Sequence, residues 1–129
     1  MGLQSVFVLY SYICRYQGVC FEKNPRMFYI GMQDQFYTFN MFDAQAWWVR
    51  DVILGRIPVP SLQEMKLHSE KWEIKEGQLK SDEDMIRFQG AYVQSLIEQT
   101  DYPSFDIEAV NQCFLEWEHH KHTDIMGFR

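Results

Sequence analysis

The residues of this 129-residue chain that could do chemistry gather in two places. His119, His120 and His122 stand beside Glu116 and Glu118 near the end, a composition that could ligate a metal. Neighbouring helical residues point about 100° apart, however, and no two of these histidines have the i, i+4 spacing that sets two imidazoles on one face. The cluster therefore reads as a solvated helix end without a metal. Trp117, just before it, follows the apolar period of its segment and reads either as core or as an aromatic face for a ligand. Gln35 and Thr38 form the second group. They flank a predicted helix start, where free N–H groups can hold an anion or a ligand carbonyl, with capping as the alternative role. No hydroxyl or thiol stands in a nucleophile motif, so no catalytic residue is assigned. The seven glycines are scattered singly, which excludes both GxGxxG and a P-loop.

The elements that must position these residues follow from pattern and punctuation. Val19 to Glu22 reads as a short strand, ended by Asn24-Pro25, and Met27 to Ile30 as a second that stops at Gly31. Two such strands are marginal alone and look like sheet-edge material. From about Asn40 the period becomes helical through Trp47, Trp48, Val52 and Ile53, with Gly55 as the residue after the end. Because this helix is apolar on more than one face, it is expected to lie between other elements.

Ser61-Leu-Gln-Glu64 is a capping-box pattern that opens a helix with Leu62, Met65, Ser69 and Trp72 on one stripe and Gly77 at its end. Ser81-Asp-Glu-Asp84 opens a third helix, whose Met85, Phe88, Tyr92, Val93, Leu96 and Ile97 form the clearest amphipathic pattern. Asp106 caps a fourth, running through Ile107, Val110, Phe114 and Trp117. The fold class is α+β and mostly α-helical, with a short strand pair.

Composition bounds the function. The length suits one domain, and 16% aromatic residues means that large flat side chains are either packed or offered to a partner. A net charge of −6 without a Lys/Arg run argues against nucleic acid and anionic membrane surfaces. Gly2 to Cys14 is apolar but lacks a basic n-region and is too short to span a bilayer, so a strand is expected there and no membrane segment. Three cysteines without CxxC spacing give no disulfide framework and point to a reducing, cytoplasmic compartment.

Longer words in the sequence say more. Phe28-Tyr-Ile-Gly-Met-Gln-Asp-Gln35, Asn40-Met-Phe-Asp-Ala-Gln-Ala-Trp47, Arg50-Asp-Val-Ile53, Gln89-Gly90, Asp101-Tyr-Pro-Ser-Phe-Asp-Ile107 and Phe114-Leu-Glu-Trp117 occur in that order. Together they closely resemble the C-terminal part of bacterial-type flavin-containing monooxygenases of the trimethylamine monooxygenase kind. The resemblance runs from about Tyr16 to Arg129, and residues 1–15 fall outside it. It implies the end of the FAD domain plus a helical C-terminal region of an α/β fold with two dinucleotide-binding domains.

The resemblance also implies the cofactors FAD and NADPH, with Gln35 and Thr38 at FAD-contacting positions and Trp117 and Arg129 at NADP-contacting ones. The family reaction is oxygenation of small amines such as trimethylamine with O₂, in a homodimer. Both glycine fingerprints of that family are missing from this sequence. The expectation is therefore a piece of such an enzyme, inactive by itself. The alternative from another class is a non-enzymatic interaction module that uses an exposed strand edge.

Overall fold

Gln17 and Gly18 both have positive φ, 55° and 67°, and so form the kind of tight turn that joins antiparallel strands. The strands they join are β1 (Arg15–Tyr16) and β2 (Cys20–Phe21), paired Arg15 to Phe21 and Tyr16 to Cys20. The computed structural model describes residues 15–31 and 36–127. The expected strand at Met27 to Ile30 is reduced to one antiparallel bridge between Phe28 and Cys20. Two backbone bonds flank it, Phe21 N to Met27 O and Tyr29 N to Val19 O, both 2.9 Å. Pairing then stops, because Gly31 (φ 79°) turns the chain away while Met27 and Ile30 remain largely exposed. The strand pair is thus β1 with β2, and the expected strand at Gly2 to Cys14 lies outside the described residues.

Four helices follow: α1 (Thr38–Ile53), α2 (Leu62–Glu76), α3 (Asp82–Ile97) and α4 (Ile107–Thr123), then a 3₁₀ turn at Ile125–Gly127. Three start as their sequences dictate. Ser61 and Glu64 close the capping box, Ser81 Oγ accepts from Asp84 N at 3.1 Å, and Asp106 Oδ1 accepts from Ala109 N at 3.0 Å. Each such cap contributes roughly 1 kcal/mol.

The core lies where α1, α3 and the hairpin meet, with α2 and α4 on the flanks. Trp48, Met41, Tyr92, Ile86, Leu96 and Val93 have no exposed surface, and burial of each large apolar side chain contributes about 1.5–3 kcal/mol. Trp72 of α2 joins them edge-on, with ring centroids 5.3 Å from Phe88 and 5.6 Å from Tyr92.

Two departures from the sequence reading stand out. α1 buries a single stripe, Met41, Ala44, Gln45, Trp48 and Asp51, while Phe39 and Ile53 are 79% and 68% exposed. Within the described chain it is therefore covered on one side and not between layers. On α2, Met65, Ser69 and Trp72 are buried as expected, but Leu62 sits in the first turn beyond the reach of the core and is exposed.

Candidate functional site

The start of α1 differs from the other three. Tyr37 occupies the cap position without a side-chain cap, and no acid lies in the first turn. The amide donors and partial positive charge of that turn are left for something else to use. Thr38, Phe39 and Asn40 are all exposed there.

Buried glutamines hold the chain that leads into this exposed turn at two points. Before it, Gly31 N donates to Gln45 Oε1 at 2.9 Å, and a Cβ on Gly31 would lie 2.8 Å from Phe42 Cε1. Only glycine combines that approach with the positive φ. Gln45 Nε2 in turn donates to the Tyr92 hydroxyl (3.0 Å), which donates to Gln17 O (2.7 Å) and so ties the hairpin to the same network. Immediately before the turn, Gln89 Oε1 accepts from Phe36 N at 2.6 Å and from Tyr37 N at 3.4 Å. Gln89 is 2% exposed, and its Nε2 has no partner among the described residues. Residues 32–35 between the two anchors lie outside the description, and so does the predicted site residue Gln35.

Tyr37 is locked as well. Its hydroxyl donates to Asn111 Oδ1 at 2.7 Å and approaches Ile107 O at 3.2 Å. Burial, with Glu108 nearby, pushes its pKa up to about 12, so it stays a donor at neutral pH. Burial also raises the Tyr92 phenol and pushes the Cys20 thiol up to about 11. Cys20 is therefore not a thiolate at neutral pH.

Trp117 is 38% exposed, with the Lys121 ammonium 4.9 Å from its ring centroid. It does not join the core, unlike Ile107, Val110 and Phe114 on the same stripe, which pack against it. The link to the first group is Phe114, three residues before Trp117. Its ring lies 6.1 Å from Phe36 and 5.1 Å from Tyr37, next to Thr38. The Phe36, Tyr37 and Phe114 rings thus pack the start of α1 against α4, and Arg129 lies outside the described residues.

At the far end of α4, His122 Nε2 lies 3.5 Å from Glu118 Oε2, and Asp82 at the start of α3 approaches both. His119 and His120 meet edge-on with ring centroids 5.6 Å apart and do not take part in that group.

The glutamine clamps were not evident from sequence. Gln45 and Gln89 are polar residues inside apolar stripes, a signal that marks a buried hydrogen bond without naming its partner.

No protein-family model matches the chain. It is 54% identical over 114 residues to the trimethylamine monooxygenase of Roseovarius sp. (strain 217) and 49% identical over 114 residues to that of Methylocella silvestris. Each match covers 88% of this chain and 26% or 25% of the relative. A crystal structure of Tmm from Pelagibacter sp. strain HTCC7211 superposes with a TM-score of 0.85 at 45% identity, covering 89% of this chain and 26% of that one. No helix among the described residues is long and apolar enough to cross a membrane. In sequence and in fold alike, this chain is similar to one part of the trimethylamine monooxygenases, spanning about a quarter of the length of the curated relatives it matches.

Proposed function

We propose that this chain supplies one wall of a flavin pocket in an NADPH- and O₂-dependent monooxygenase acting on small amines such as trimethylamine. The carrying observation is that the α1 start is exposed, uncapped and free of first-turn acids within a stretch homologous to such enzymes. Its donors and dipole favour electron density on the edge of a bound ligand. Flavin, once bound, supplies the redox chemistry.

The chain's own residues bind and orient. Thr38 offers its hydroxyl at the helix start, and Gln35 directly precedes Phe36, whose amide Gln89 holds. Trp117 offers a partly exposed ring for the NADP side, with Arg129 as the phosphate partner, since a guanidinium suits that anion. None of these groups needs to act as a general base. With no glycine-rich turn in this sequence, the flavin's phosphates are left to residues outside it. On this reading residues 1–15 are separate from a family stretch at 16–129, made of the end of the FAD domain and a helical region. The whole enzyme is a cytoplasmic homodimer.

The test is retention of FAD. The purified chain, mixed with FAD and desalted, is expected to keep no flavin absorbance near 450 nm; a stoichiometric retained band overturns the claim that the pocket is incomplete.

A second reading draws on an open apolar groove lined by Pro25, Phe28, Val52, Ile53 and Val59, with Arg26 at its edge. A non-enzymatic interaction module would present such a surface to a partner chain. Size-exclusion chromatography with light scattering separates the two readings. A well-folded monomer or defined dimer favours the module, and a molten or aggregating chain favours the piece of an enzyme.

A further inference from the structure

The end of α4 and the start of α3 bring three ligand groups together from distant parts of the chain. One oxygen each of Asp82 and Glu118 and one ring nitrogen of His122 all lie within 4.8 Å of one another. Glu118 and His122 are four residues apart on one helix, so they share a face. Their facing atoms are 3.5 Å apart. Two ligand atoms bound tetrahedrally at about 2.1 Å from zinc stand roughly 3.4 Å apart, so this pair already has the required span.

The Glu118 carboxylate is unusual for a helix end in that only 10% of its side chain is exposed. Its Oε1 accepts from Lys121 Nζ at 3.1 Å, while Oε2 makes no hydrogen bond among the described residues and faces His122. A carboxylate on a buried side chain, with one oxygen 3.5 Å from an imidazole and close to a second carboxylate, is the donor set of a borderline divalent cation. Helix charge is close to balanced there. Asp82 sits at the positive start of α3, which opposes a cation, and His122 at the negative end of α4, which favours one, each by about 0.3–1 kcal/mol.

We propose that Asp82, Glu118 and His122 form a zinc-class divalent metal site that clamps the end of α4 to the start of α3. Three protein ligands leave a fourth position to water. Lys121 keeps Glu118 Oε1 and orients the carboxylate, so the metal is taken by Oε2. The site is independent of any flavin reading.

Calorimetric titration of the full chain with zinc chloride alone tests it. One equivalent per chain is expected, weakened at least about tenfold in His122→Ala and in Glu118→Gln and unchanged in a His119→Ala/His120→Ala double variant. The His122 side chain is 69% exposed, so its removal leaves the packing intact and gives a decision whatever Glu118→Gln does to folding. No binding, binding indifferent to His122→Ala, or binding lost in the double variant overturns the site.

Discussion

The Tyr37 hydroxyl and Asn111 Oδ1 meet at 2.7 Å in the seam where the start of α1 reaches α4, and Gly90 of α3 is what lets them meet. A Cβ on Gly90 would lie 2.6 Å from Asn111 Oδ1 and 3.0 Å from the Tyr37 hydroxyl. Alanine there gains roughly 1 kcal/mol of helix propensity. Against this stand about 1–3 kcal/mol of overpacking and the loss of a buried hydrogen bond. Gly90→Ala is therefore expected to lower stability by about 1–3 kcal/mol in urea denaturation, and an unchanged or raised midpoint contradicts the packing described.

Gln89 holds the backbone just before Thr38. Gln89→Leu leaves the amides of Phe36 and Tyr37 without their acceptor, at a cost of about 1–3 kcal/mol. Amide hydrogen exchange of those two residues should accelerate by more than that of the α3 core. Uniform acceleration would mean that the clamp is not local.

His68 gives the chain a pH dependence. Burial, reinforced by Lys71 and Lys75, lowers its pKa, and its Nε2 accepts from Trp72 Nε1 at 3.3 Å while Tyr16 packs edge-on at 4.9 Å. The neutral ring is the one that fits. Its contribution is complete above the ordinary histidine range of about 6.5 and is lost as pH falls through that value towards the folded pKa. Glu73, raised by burial and by Glu22 and Glu70, works in the opposite sense. Melting temperature is expected to fall between pH 7 and 5 in a Glu73→Gln background, and His68→Gln should flatten the slope.

The tryptophans separate core from surface. Trp72→Ala removes a ring packed on Phe88 and Tyr92 and should cost about 3–5 kcal/mol. Trp117→Ala should cost clearly less, since its ring is 38% exposed and lies outside the core cluster. Equal costs in urea denaturation would return Trp117 to the core.

Salt bridges around Asp51 supply an acid-side test. Hydrogen bonding from Arg50, then Arg56, holds its pKa below the usual aspartate range. The ionised form is therefore the stabilising one, and its contribution is lost as pH falls below about 4 through the folded value. Asp51→Asn should lower the melting temperature at pH 7, with the gap to the parent narrowing as pH falls below about 4; parallel curves would remove Asp51 from the account.

Local rules were legible in the chain by itself. The Ser61, Ser81 and Asp106 caps, the turn at Gly55 (φ 72°) and the α3 stripe all formed as read, because each is decided by residues within one helical turn. The family words from Phe28 to Trp117 were legible too, and the homologous sequences and the superposed fold agree with them. What needed tertiary structure were the relations between residues far apart in sequence. One is that β2 pairs with β1 on one side and meets Phe28 in a single bridge on the other, since register depends on which partner is in reach. Gln45 and Gln89 became clamps because their acceptors face Gly31 and Phe36, 14 and 53 residues away. His122 found its neighbours in Glu118 one turn back and in Asp82 on another helix, where a search for histidine pairs does not look. Periodicity assigns a side chain to a face; only the packed chain decides what that face meets.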